Sequence, residues 1–151
     1  MVDNSIKMLF KSKQYAYVQY VHPMGQITRK FVYANGKDLD YGDKAEILSA
    51  VVGAGNFLDF MKGALSETYF TREHFWFTCG YQPADFDNEE IKQREVRIHY
   101  AGVDNTILKK DFYEMCLLLC EAKKYSLDYK ETFEDELFQI KLQLEEKIEM
   151  L

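Results

Sequence analysis

Cysteine is scarce in this chain: three in 151 residues, at Cys79, Cys116 and Cys120. The number is odd, and Cys116 and Cys120 sit one helical turn apart inside an apolar run, where buried free thiols are common and disulfides are not. Neither CxxC nor HxxxH pairing occurs among the cysteines and His22, His74 and His99, so ready-made zinc spacing is missing as well. No apolar stretch approaches the roughly 18 residues that a membrane span needs. Met1-Val2-Asp3-Asn4-Ser5 lacks the basic-then-apolar layout of a signal peptide, and a cytoplasmic location is expected. Internal repeats, low-complexity tracts and linkers are also missing. One globular domain over residues 1–151 is the expectation.

What is present is a core-forming composition, with hydrophobic residues at 47% and aromatics at 15%, which argues against disorder. The net charge of -6 is unevenly placed. Residues 1–110 carry 14 basic and 14 acidic side chains, whereas residues 111–151 carry 5 basic and 11 acidic ones. Residues 1–37 hold six Lys or Arg against the single acid Asp3. The chain is electrically polarised, basic at its N-terminal end and acidic at its C-terminal end, which bears on partners more than on fold.

The longest apolar run, Met115-Cys116-Leu117-Leu118-Leu119-Cys120, follows Asp111 and Glu114, a capping-box pair that predicts a helix from Asp111 to Lys124. Its apolar stripe, Phe112, Met115, Cys116, Leu119 and Ala122, is widened by Leu117, Leu118 and Cys120, so the helix should be covered on more than one side. Upstream, Ile6 to Lys11, Gln14 to His22 and Ile27 to Ala34 read as strands, the last two joined by a turn at His22-Pro23-Met24-Gly25. Asn35-Gly36 predicts a further return strand over Lys37 to Tyr41.

Asp43 with Glu46 opens a helix, and Asn56 restarts another through Phe57, Leu58, Phe60 and Met61 to Gly63. Glu67 to Cys79 reads as one strand, residues 80–90 as the one long loop, and Ile91 to Ala101 as a half-buried strand. A short extended piece covers Thr106 to Lys109. A last helix opens near Asp128 and carries the seam Phe133, Leu137, Ile140, Leu144, Ile148 and Leu151. The expected fold is α+β: an antiparallel sheet of five or six strands with short inserted helices and a C-terminal helical hairpin packed on one face.

Motifs that specify a reaction are missing. Val51-Val52-Gly53-Ala54-Gly55 begins like a dinucleotide fingerprint, but Leu58 stands at the third glycine position and the preceding segment reads as helix. Asp38, Asp40 and Asp43 could offer oxygen to a hard cation, yet Gly42 sits where a calcium loop needs a donor. Cys79 as a nucleophile would need His99 brought opposite it by strand register, because His74 has the opposite parity on the same strand. Glu73 with Glu95 is a weaker acid–base pair. The bases Lys11, Lys13, Arg29, Lys30 and Lys37 lie among Tyr15, Tyr17, Tyr20 and Tyr33, as in a base-stacking sheet, but the acidic whole opposes nucleic-acid binding.

The expectation for function is a non-enzymatic protein-binding domain, an acidic immunity or toxin-inhibitor type that covers a basic partner surface, with no cofactor, no metal and no membrane. Asp85, Asp87, Glu89 and Glu90 in the long loop are the expected protein-binding residues, with Glu131, Glu134, Asp135, Glu145 and Glu149 as a second acidic group. A homodimer through the last helix is the competing use of its seam. A small enzyme or ligand-binding α+β domain is the alternative, as is nucleic-acid binding through the N-terminal sheet.

Overall fold

A computed structural model describes residues 6–49, 52, 57–65, 70–72, 77–80, 95–100, 103–126 and 129–150. The chain divides into two compact units, residues 1–49 and 50–151.

The first unit is an antiparallel meander of β1 (Ile6–Lys11), β2 (Tyr15–Val21) and β3 (Ile27–Tyr33), in the order β1-β2-β3. Pro23 and Gly25 make the β2–β3 turn as the sequence predicts: Gly25 adopts φ +88°, which only glycine takes without strain. His22 N–H donates to the Gln26 carbonyl at 2.8 Å, so the register runs unbroken from Val21 opposite Ile27 to Tyr15 opposite Tyr33. On one face Phe10, Tyr17 and Phe31 cluster, with Tyr17 and Phe31 centroids 4.7 Å apart. On the other, Ala16, Val18 and Val32 form a buried patch against which Tyr20 packs.

The return strand expected over Lys37 to Tyr41 does not form. Gly36 turns the chain at φ +90°, and one backbone bond follows, Tyr33 N–H donating to the Lys37 carbonyl at 2.9 Å. Beyond it, side chains replace the ladder. Tyr33 hydroxyl donates to Asp40 Oδ2 at 3.0 Å and approaches Asp43 Oδ2 at 3.1 Å, while Tyr15 hydroxyl donates to Asp43 Oδ1 at 2.8 Å. Asp43 also caps α1 (Lys44–Leu48), taking Ala45 N–H at 2.9 Å, as the capping pattern predicts.

In the second unit the strands form a separate antiparallel sheet, β4 (Phe70–Arg72), β5 (Phe77–Gly80), β6 (Glu95–Tyr100) and β7 (Val103–Leu108), in sequence order. The α+β class holds. The described strands, however, are divided between a three-stranded and a four-stranded sheet instead of joining one of five or six. Glu67 to Cys79 also differs from the expected single strand: Phe70 pairs with Cys79 and Arg72 with Phe77, so this stretch contributes two antiparallel strands.

Among the described residues three helices accompany this second sheet: α2 (Phe57–Leu65), α3 (Lys109–Lys123) and α4 (Glu134–Met150), the last preceded by a 3-10 turn at Glu131–Phe133. Helix α3 lies against β6, β7 and α4, and α2 against β4 and α4. Lys141 pairs with Glu121, and Lys147 lies over the Tyr113 ring, so rising numbers on α4 meet falling numbers on α3 and the two run antiparallel as a hairpin. The apolar stripe of α3 is buried as expected, with Phe112, Met115, Cys116, Leu119, Cys120 and Ala122 at 1% exposure or less. Fully burying each large side chain of this kind stabilises by ~1.5–3 kcal/mol before entropy is counted.

Helix α3 begins two residues before the expected Asp111. Leu108 is its N-cap and makes no side-chain cap bond, leaving Asp111 in the first turn, where a carboxylate suits the positive end of the helix. Periodicity also gave no hint of Lys123, which is buried at the end of α3. Its ammonium donates to the Val52 carbonyl at 2.9 Å and lies 5.3 Å from the Phe57 ring centroid. The rest of the glycine-bearing stretch from Val51 to Gly55 lies outside the described residues.

Candidate protein-binding surface

Helix α4 has two sides of opposite character. Leu137, Ile140 and Leu144 recur at spacings of three and four and are buried, which gives the seam to the protein's own core. On the outer side the same spacing strings together Asp135, Phe138, Leu142, Glu145, Glu146 and Glu149, all exposed. Phe138 and Leu142 are 58% and 40% exposed and stand one turn apart, with Asp135 before them and three glutamates after them. An aromatic–aliphatic pair left in water between carboxylates has the chemistry that an interface anchor with a polar rim would need.

The acids at the two ends of α4 differ energetically. Glu134, Asp135 and Glu136 occupy the first turn and complement the helix dipole. Glu145, Glu146 and Glu149 approach the negative end, where Lys147 is the one base in the last turn, and Glu145 and Glu149 repel each other at i,i+4. Both effects oppose helix stability, by about 0.3–1 kcal/mol and a few tenths respectively.

Beside this face, α2 and α4 leave a groove of about 290 Å³ lined by Lys62, Leu65, Asp135, Glu136, Gln139, Ile140 and Gln143. Lys62 Nζ stands 3.6 Å from Glu136 Oε2 at its edge, both side chains more than half exposed. Asp135 belongs to the groove and to the outer face alike. Across the hairpin, Glu121 bonds Lys141 and lies 3.6 Å from Lys124. Partial burial pushes the Glu121 carboxyl up, but the hydrogen bond and charge of Lys141, together with Lys124, outweigh it and hold the group below the usual range.

The expected binding residues Asp85, Asp87, Glu89 and Glu90 lie outside the described residues. Of the second acidic group, Glu131, Glu134, Asp135, Glu145 and Glu149 are all exposed on or next to α4. Sequence reasoning missed Phe138 and Leu142 as a surface pair. Their signal was available: they stand one turn apart and off the Leu137–Ile140–Leu144 seam. The groove had no such signal, since it depends on how α2 and α4 meet.

The chemical alternatives acquire partners of another kind. Register sets Cys79 opposite Ile98 and Thr78 opposite His99, so the pairing a Cys79–His99 nucleophile requires is not formed. Glu73 and His74 lie outside the described residues. Asp38 pairs with Lys30 at 3.1 Å, while Asp40 and Asp43 accept from the tyrosine hydroxyls. Among the described residues no group of three or more His, Cys, Asp or Glu could hold a metal ion, and no helix is long and apolar enough to cross a membrane. Tyr15 and Tyr17 are 2% and 6% exposed, which withdraws their rings from base stacking.

No protein family, characterised protein or solved structure matches this chain.

Proposed function

We propose that this protein is a non-enzymatic, cytoplasmic protein-binding domain of the acidic immunity or inhibitor type, covering a basic surface on its partner. The observation that carries the reading is the outer face of α4: exposed Phe138 and Leu142 between carboxylates, three of which sit where they weaken their own helix. Local rules broken on an exposed surface without a structural return are the mark of a site kept for something else. Carboxylates around an apolar pair suit a partner that presents Lys or Arg around an apolar contact of its own. The anchor supplies affinity, and the charges supply orientation and encounter rate.

Asp85, Asp87, Glu89 and Glu90 enter the same proposal as a second acidic group that adds to the long-range field. The two groups are separable by charge reversal. Against a partner copurified from the native host, reversing Asp85, Asp87, Glu89 and Glu90 to lysine, or Glu145 and Glu149 to lysine, should each slow association by about tenfold. Phe138→Ala should act instead on dissociation, as removal of a packed anchor does. A partner whose binding ignores all three changes contradicts the proposal.

A further inference from the structure

We infer that the groove between α2 and α4 is a socket for one arginine side chain of the partner, an inference that rests on the protein-binding reading above. Its walls combine the two features an arginine needs. Leu65 and Ile140 offer apolar surface to a three-carbon stem, and the stem's methylenes gain by leaving water while the charged head stays at the edge. Asp135 and Glu136 supply carboxylates, and Gln139 and Gln143 supply amide oxygens that accept further N–H bonds. Four acceptor-bearing side chains around an apolar floor suit a planar donor with five N–H groups better than a compact ammonium. An ammonium holds its water more tightly and makes no bidentate fork.

The volume of about 290 Å³ is enough for one long side chain and too small for a helix. Position strengthens the assignment, because Asp135 joins the groove to the face that bears Phe138 and Leu142. An arginine seated here would leave the rest of its chain over that apolar pair. Among the described residues Lys62 is the one cation lining the groove, 3.6 Å from Glu136, and the exposure of both side chains makes the pair easily separated by water. An incoming guanidinium takes over Glu136 and sends Lys62 into solvent. Lys62 thus opposes loose cations and yields to one that also fills the apolar floor, a selection by repulsion as much as by attraction.

The test uses the full chain and three blocked peptides, glycine-flanked, with a central arginine, lysine or citrulline, followed by residue-resolved NMR. The arginine peptide should shift Lys62, Leu65, Asp135, Glu136, Gln139 and Gln143 saturably. The lysine peptide should bind several-fold more weakly, and the uncharged citrulline peptide should produce no saturable shift. Glu136→Gln should weaken the arginine peptide by about tenfold, the scale of a lost charge-assisted pair. Lys62→Ala should tighten it, and Gln143→Trp, which fills the groove from its exposed edge, should abolish it. Equal response to arginine and citrulline, or shifts confined to Glu145, Glu146 and Glu149, overturns the socket. A protein partner that depends on Phe138 and Glu149 but ignores Gln143→Trp also overturns the socket, while leaving the protein-binding reading intact. One that ignores all of these overturns both.

Discussion

Cys120 shows how burial decides chemistry at the scale of one residue. It is fully buried in α3, and desolvation pushes its thiol up to about 12, against a smaller opposing effect from Lys141. At that value the thiolate, the species that attacks, is a negligible fraction at neutral pH. Cys120 should therefore resist a thiol-reactive probe in the folded protein up to about pH 9, as should Cys116 because it is closed off from solvent, and both should react only on unfolding; labelling before unfolding, followed by mass spectrometry, would contradict this. Glu121 makes the opposite case. Its folded carboxyl titrates below its unfolded value near 4.5, so the pair with Lys141 contributes stability that is fully present above that value. The contribution is lost as pH falls through the lower folded value. Glu121→Gln should flatten the stability profile below about pH 4.5 in acid-titrated denaturation, leaving the neutral-pH profile parallel to the parent; an unchanged acid limb would refute the assignment.

At the scale of elements, helix α4 divides its residues between the core and the proposed binding face. Leu137 is 1% exposed in the core, so Leu137→Ala should cost ~2–5 kcal/mol in chemical denaturation. Sedimentation should give the same oligomeric state for parent and variant; a dimer that becomes a folded monomer would return the seam to an interface. The outer face predicts a trade in the other direction. Glu149→Lys relieves a like-charge pair, gives Glu145 an opposite charge at the favourable spacing and suits the helix dipole, so it should raise stability by about 0.3–1 kcal/mol while slowing association with a basic partner. Loss of stability, or unchanged association, would remove the argument that these acids are held for binding.

Elements were legible where one signal decided them. Pro23-Met24-Gly25 gave the β2–β3 register, Asp43 gave the start of α1, and the seam of α4 named its buried side correctly. Signals failed where tertiary partners competed. Asn35-Gly36 turned the chain as expected, but Tyr33 and Tyr15 hydroxyls captured Asp40 and Asp43 before a strand could follow. Asp111 lost the helix cap to Leu108, three residues earlier. The stretch from Glu67 to Cys79 is aromatic on both parities, and periodicity alone could not find the reversal that pairs Phe70 with Cys79. The candidate surface was half visible: charge counting found the acids of α4, but exposure was needed to show Phe138 and Leu142 among them.

At the scale of the whole molecule, the polarity of charge along the chain is the property on which the proposed binding role rests. A field with its excess in the last 41 residues would attract the proposed basic partner from beyond contact distance and weaken as salt shortens the Debye length, from about 10 Å at 0.1 M to about 3 Å at 1 M. The most direct measurement is the association rate of the copurified partner as a function of ionic strength, for the parent and for a variant with Glu145, Glu146 and Glu149 reversed to lysine. The account predicts a steep fall with salt for the parent, a rate at least about tenfold lower at low salt for the variant, and convergence of the two at high salt. A parent rate that is flat in salt and equal to that of the variant would contradict it.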